Sequence, residues 1–161
     1  MSQKHDAHYY LDYIRAFNKK DYPAQHAFYH DDVELILPDP AIGTLKGSSG
    51  IKTHYKPIHE NADETVIPII MMVDRGRLFL QMETYFVYKN EVQRAVHDYH
   101  VYPGDVIKIT SCAIYDLDEQ GKMKRIVCHL FNQELLGKVD VKEKIRDSES
   151  RADADLRLYN Y

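Results

Sequence analysis

Hydrophobic positions along the chain change period several times, and each change marks an element. Tyr10, Leu11, Ile14 and Phe17 recur at helical spacing, with Tyr13 beside them, so residues 6–19 read as an amphipathic helix. Asp21 is placed to cap a short second helix over 24–30, with Pro23 in its first turn. The apolar run of residues 33–37 reads as a strand, and the proline- and glycine-bearing stretch 38–47 as a loop. Ser48 or Ser49 then caps a third helix in which Ile51, Tyr55 and Ile58 share a face. Pro57 predicts a kink in that helix or an early end to it. From residue 65 the period is that of strands. Residues 65–73 and 77–89 flank a turn at 74–76, and 106–117 and 123–132 flank a turn at 118–122. Residues 90–104 read either as a short strand or as a lid-like loop. Helices first and a run of antiparallel strands later is an α+β order, with helices on one face of a sheet.

The last hairpin bears directly on function. With Gly121 in the left-handed position of the turn, Tyr115 opposes Arg125, Ala113 opposes Val127, Ser111 opposes His129 and Ile109 opposes Phe131, while Cys112 opposes Cys128 on the other side. The first of these faces mixes apolar walls with hydrogen-bonding tips, as a small-molecule site does. The second is more uniformly apolar and suits contact with another subunit, which predicts a homodimer through the sheet. The alternative exchanges the two faces and leaves His129 as an ordinary strand histidine. Glu83, midway along its strand, is an acid/base candidate if it points inward and a rim or interface residue otherwise.

Composition narrows the class. The 161 residues suit one domain, expected over 1–135, with a charge-rich tail or exposed helix over 136–161. Hydrophobic residues at 44% are enough for a core. A net charge of -4 gives no electrostatic reason to expect nucleic acid or an anionic membrane. Residues 1–8 lack an apolar run, so no secretory signal is expected. No stretch is long enough to span a bilayer, and Cys112 and Cys128 make no disulfide framework. A cytoplasmic, reduced protein is the expectation. Thirteen tyrosines, with no tryptophan, suit walls that are apolar in body and polar at one tip.

The nine histidines raise the question of metal. His97 and His100 fall on opposite faces of a strand, and His54 and His59 are separated by a proline-containing helical stretch; neither spacing fits zinc. No glycine-rich nucleotide loop or Cys-X-X-Cys motif occurs, so no cofactor and no metal are expected.

Residues 13–21 (YIRAFNKKD), the segment 28–33 (FYHDDV), the glycine-led helix 47–55 and the closing strand pair with Gly121-Lys122 together resemble the NTF2-like, SnoaL-like superfamily over residues 9–132. The resemblance implies a cone: a strongly curved antiparallel β-sheet closed by three N-terminal-half helices around a pocket. It implies a cofactor-independent acid–base enzyme, an isomerase, cyclase or dehydratase (lyase) of secondary metabolism. The substrate would be an apolar, carbonyl-bearing molecule of polyketide, steroid or terpenoid type. The alternative is a non-catalytic binding or dimerisation module. Within the resemblance, Tyr13 matches the oxygen-binding helix tyrosine of ketosteroid isomerases, with Tyr29 and Tyr55 as its supports. The isomerase's base falls near Leu37 and its second acid near Cys112 or Ala113, so both are missing, and Asp39 is the nearest substitute for the base. The expected catalytic groups are Tyr13, His129 and Asp39. The expected substrate-binding groups are Tyr29, Tyr55, Glu83, Ser111, Tyr115, Arg125, Val127 and Phe131.

Overall fold

A computed structural model describes residues 4–160, apart from the side chain of His97. Helix α1 (Ala7–Asn18) starts where the Asp6 side chain accepts the Tyr9 N–H at 3.1 Å. It buries Tyr10, Leu11, Tyr13, Ile14 and Phe17, the stripe read from the sequence. Helix α2 (Tyr22–His26) is capped by Asp21 and is shorter than expected. The chain is extended again by Tyr29, because β1 (Tyr29–Ile36) takes up residues the sequence reading left in the helix. Strand β2 (Thr44–Lys46) leads into α3 (Gly47–Asn61). No side chain caps α3 at Lys46, so the expected serine cap is replaced by a turn through Gly47, whose φ is +70°. The helix runs on through Pro57.

Strands β3 (Ala62–Asp74) and β4 (Arg77–Tyr88) form a long hairpin, followed by β5 (Val106–Leu117) and β6 (Met123–Gly137). The six strands make one sheet in the order β2-β1-β6-β5-β4-β3. Strand β1 lies parallel to β6, whereas every other neighbouring pair is antiparallel. The strongly curved, purely antiparallel cone closed by three helices is therefore corrected. The sheet is mixed and linear, with edges at β2 and β3, and a fourth helix, α4 (Val141–Arg151), follows it. The parallel pair arises because β1 and β6 come from opposite ends of the chain, so no tight turn sets their direction.

The inner face of the sheet, with α1 and α3, encloses the main core. At the end of α1, Asn18 closes the open edge of β3, donating to the Val66 carbonyl at 2.9 Å and accepting the Val66 N–H at 2.8 Å. The outer face packs Ile67, Ile69 and Tyr85 against Ile145 and Ala152, the latter two from α4 and its end. The charge-rich C-terminal stretch thus forms a helix with a buried face.

The β5–β6 register departs from the expected one. The turn pairs Leu117 with Met123, but the next pair is Asp116 with Arg125, which leaves Lys124 as an extra residue. Beyond this bulge Tyr115 meets Ile126, Ala113 meets Cys128, and Ser111 meets Leu130. One added residue exchanges the two faces of β6. A second irregularity at Phe131 returns Gln133 to the inner side.

Candidate functional site

Between the inner face of the sheet, α1 and α3 lies a cavity of about 820 Å³. Alternate residues of four strands point into it: Glu64 and Val66; Leu80, Met82, Thr84 and Phe86; Ile109, Ser111 and Tyr115; Ile126, Cys128 and Leu130. One side of its mouth is the Pro38–Ile42 loop, and the other is the segment 92–98. That segment, a strand or a loop by sequence, is a flap tied by a bridge between Val92 and Val101. Val92, Ala95 and Val96 pack it on Phe86 and Tyr88.

A chain of phenols lies deep in the cavity. The Gln25 amide donates to Tyr29 Oη at 3.0 Å, and Tyr29 Oη lies 3.0 Å from Tyr13 Oη. The Tyr13 ring meets Tyr115 edge-on at 6.0 Å between centroids. Burial pushes the Tyr13, Tyr55 and Tyr115 hydroxyls well above the ordinary phenol range, and it raises Tyr29 as well. They are therefore neutral donors. Either phenol can donate in this pair; Tyr29, which accepts from Gln25, has a proton it can give to Tyr13. In that arrangement the Tyr13 proton is available to Tyr115 or to a ligand oxygen that takes its place. Gln25 is only 2% exposed, and its own carbonyl oxygen has no protein partner.

The second polar group is the Glu64 carboxylate, at the start of β3. His59 Nε2 lies 3.0 Å from Glu64 Oε1, and Tyr22 Oη lies 2.6 Å from His59 Nδ1. His54 also lines the cavity, and burial lowers its pKa, favouring the neutral ring. Cys128 faces inward, but burial pushes its thiol up to about 12, so it is no nucleophile at neutral pH. It and Cys112 lie on opposite faces of the sheet.

Of the residues expected from sequence, the fold brings Tyr13, Tyr29, Tyr55, Ser111, Tyr115 and Asp39 to the cavity. Asp39 sits at the exposed mouth, where its carboxylate accepts the Ala41 N–H at 2.9 Å, a turn-forming contact. Arg125, Val127, His129 and Phe131 are on the outer face because of the Lys124 bulge, and Phe131 is 65% exposed. Glu83 is also outward, held by Lys108, Arg151 and Ser148.

The sequence reading missed Gln25, His54, His59 and Glu64. Glu64 carried a legible signal: with Ala62 and Val66 it completes an alternating, otherwise apolar face one turn of pleat before the expected start of the strand. Among the described residues, no group of three or more His, Cys, Asp or Glu could hold a metal ion. None of the described helices is long and apolar enough to cross a membrane.

Comparison with solved structures finds the same fold in several proteins. A putative polyketide cyclase from Xanthomonas campestris pv. campestris shares 16% identity at a TM-score of 0.62, over 85% of this chain and 91% of that one. A putative polyketide cyclase from Pseudomonas putida KT2440 shares 18% at 0.61, over 75% and 86%. TerC, co-crystallised with polyporic acid, shares 15% at 0.59, over 75% and 87%. Comparison with curated protein sequences finds no match. The family model of the SnoaL-like domain matches residues 10–126, a span that runs from α1 to the strand bearing Cys128, and the chain belongs to that family.

Proposed function

We propose that the cavity is the active site of a cofactor-independent acid–base enzyme acting on an apolar, oxygen-bearing small molecule. The observation that carries this is the pairing, in one apolar cavity, of a neutral phenol chain ending at Tyr13 with the carboxylate of Glu64. Tyr13 donates to a carbonyl oxygen of the substrate. Glu64 takes a proton from the carbon beside that carbonyl, and the electron pair released moves onto the oxygen that Tyr13 holds. Returning the proton elsewhere gives isomerisation; attack by the enolate carbon on a second carbonyl gives cyclisation. Ser111, Tyr55 and Tyr115 shape the wall, and Asp39 stands at the entrance. The description of two solved relatives as putative polyketide cyclases, and the presence of polyporic acid with a third, support this class of ligand.

The test needs no natural substrate. 2-Tetralone is an apolar ketone whose acidic C–H groups exchange in D2O, as followed by proton NMR. The protein is expected to accelerate exchange. Tyr13→Phe and Glu64→Gln should each reduce the acceleration by about a hundredfold, the usual range for losing one oxyanion donor or one general base. No acceleration over buffer, with the ketone bound, turns the domain into a binding module.

A homodimer through the part of the outer face that α4 leaves bare, around Ile114, Val127 and Phe131, belongs to the same proposal. Sedimentation at micromolar concentration should give a dimer, and Phe131→Asp a monomer; a wild-type monomer removes this part.

A further inference from the structure

Glu64 is not merely a carboxylate in a cavity wall: two further polar side chains stand behind it in a line. His59, on the last turn of α3, reaches Glu64 Oε1 through Nε2 and Tyr22 Oη through Nδ1. The side chains of His59 and Glu64 are only 6% and 8% exposed. The imidazole is packed among three rings, nearly parallel to Tyr22 at 5.9 Å and to Tyr55 at 5.4 Å, with Phe17 meeting it edge-on at 5.7 Å. Its orientation is thus set by packing and does not depend on Glu64 alone.

Donor and acceptor counting gives the chain a direction. Burial, and secondarily the charge of Glu64, raise the Tyr22 hydroxyl above its ordinary range, so it keeps its proton and has it to donate to Nδ1. An accepting Nδ1 puts the ring proton on Nε2, which donates to the carboxylate. Whether Nδ1 accepts from Tyr22 or the ring carries both protons, Nε2–H is the donor to the carboxylate. Lys20 binds the backbone carbonyl of Glu64 rather than its carboxylate. Oε2 has no hydrogen-bond partner among the described residues, and Glu64 lines the cavity.

We propose that Tyr22 and His59 are positioning residues that hold Glu64 as an oriented anion with Oε2 toward the cavity, and that the cavity therefore selects ligands bearing an acidic hydroxyl, a phenol or an enol, at that end. This rests on reading the cavity as an acid–base site. It adds that a hydroxyl at the Glu64 end, distinct from the oxygen that Tyr13 holds, is recognised, and that the recognition is built from α2 and α3 through His59.

The probes are 2-naphthol and 2-methoxynaphthalene, which share a ring system and differ in the hydroxyl proton. The protein has no tryptophan, so naphthyl fluorescence can be followed directly. Wild type should bind 2-naphthol about tenfold or more tighter, as expected for one hydrogen bond to a charged acceptor. His59→Leu should bring the ratio close to one while leaving the affinity for 2-methoxynaphthalene unchanged. His59→Gln, which keeps an N–H donor near the position of Nε2, should restore most of the preference. Retention of the preference in His59→Leu overturns the inference, because the hydroxyl is then read elsewhere, at Tyr13 for example. Equal weakening of both probes in both variants also overturns it, because His59 is then only a strut between α3 and β3. Equal binding of the two probes by a wild type that catalyses tetralone exchange overturns the inference alone. Binding of neither probe, with no exchange, overturns the inference and the active-site proposal together.

Discussion

His26 shows at the scale of one residue what burying an unpartnered ring costs. It sits at the end of α2 with its ring 4.8 Å from that of Tyr29, and its Nδ1 is buried without a partner. Burial, with the nearby charge of Lys52, lowers its pKa to about 4. The folded protein therefore resists protonating a ring that the unfolded chain protonates near pH 6.5. Between those values the unfolded state binds more protons, so stability must fall as pH falls from about 6.5 toward 4. Allowing for partial solvent screening, the loss is about 1–2 kcal/mol. His26→Phe should remove this part of the acid sensitivity. Urea unfolding at pH 7 and pH 4.5 checks it: the drop between the two should be smaller in the variant than in wild type.

At the scale of elements, the chain is legible where one local pattern decides the outcome and illegible where two elements must agree. The stripe Tyr10, Leu11, Ile14, Phe17 marks α1 because helical spacing is a property of that segment alone, and Tyr13 reaches the cavity as a consequence. The grouping of Ile109, Ser111 and Tyr115 on one side of β5 was legible for the same reason, since they alternate in an unbroken strand, whereas which side faces the cavity was left open. Strand β6 was not. Its facing depends on whether Lys124 is accommodated in the ladder or bulged out of it, and nothing in the segment MKRIV states which. The bulge is set by distant contacts. Tyr10 Oη of α1 donates to the Gly121 carbonyl at 2.8 Å, and Gly121, with φ at +80°, is packed so closely that a Cβ would lie 2.7 Å from the His5 ring. Met123 N–H is taken by Phe28 O at 2.8 Å, beside the start of β1. These contacts anchor the turn against the N-terminal part of the chain, and the extra residue falls just beyond them. Hence His129 and Arg125 point away from the cavity, while Cys128 and Ile126 line it. The carboxylate at Glu64 escaped the sequence reading for a related reason: its partner His59 lies across a helix–strand junction, and only the fold turns a separation of five residues into a 3.0 Å contact.

At the scale of the whole molecule, the sheet does separate work on its two faces, and neighbouring residues of one strand divide it. Met82 and Thr84 of β4 line the cavity, while Glu83 between them points outward and fastens α4. Its carboxylate meets Lys108 at 2.7 Å, accepts from Ser148 at 3.1 Å and pairs with Arg151, which Asp147 also holds at 2.7 Å. Burial alone would raise the Glu83 pKa, but the hydrogen bonds from Arg151 and Lys108 outweigh it and hold the carboxyl below its usual range. A carboxyl lowered in this way contributes stability that is fully present above the unfolded value near 4.3 and is lost as pH falls through the folded one. Glu83→Gln removes the charge and deprives Lys108, itself only 18% exposed, of its direct ion-pair partner, leaving the more distant Asp147. Arg151 is 44% exposed and recovers part of its solvation, so the cost at pH 7 should be about 2 kcal/mol, less than for a fully buried pair. The difference from wild type should narrow as pH is lowered below the ordinary carboxyl range, because wild type then loses the same charge. Urea unfolding at pH 7 and below that range measures both. Hydrogen exchange at pH 7 locates the effect: amides of α4 should exchange faster in Glu83→Gln, while those of α1, on the far side of the sheet, should be slowed or quickened only by the change in global stability. The affinity for 2-methoxynaphthalene should stay at the wild-type value. A loss of that affinity would mean that the outer clamp and the inner cavity are energetically one unit, coupled through the strand that they share.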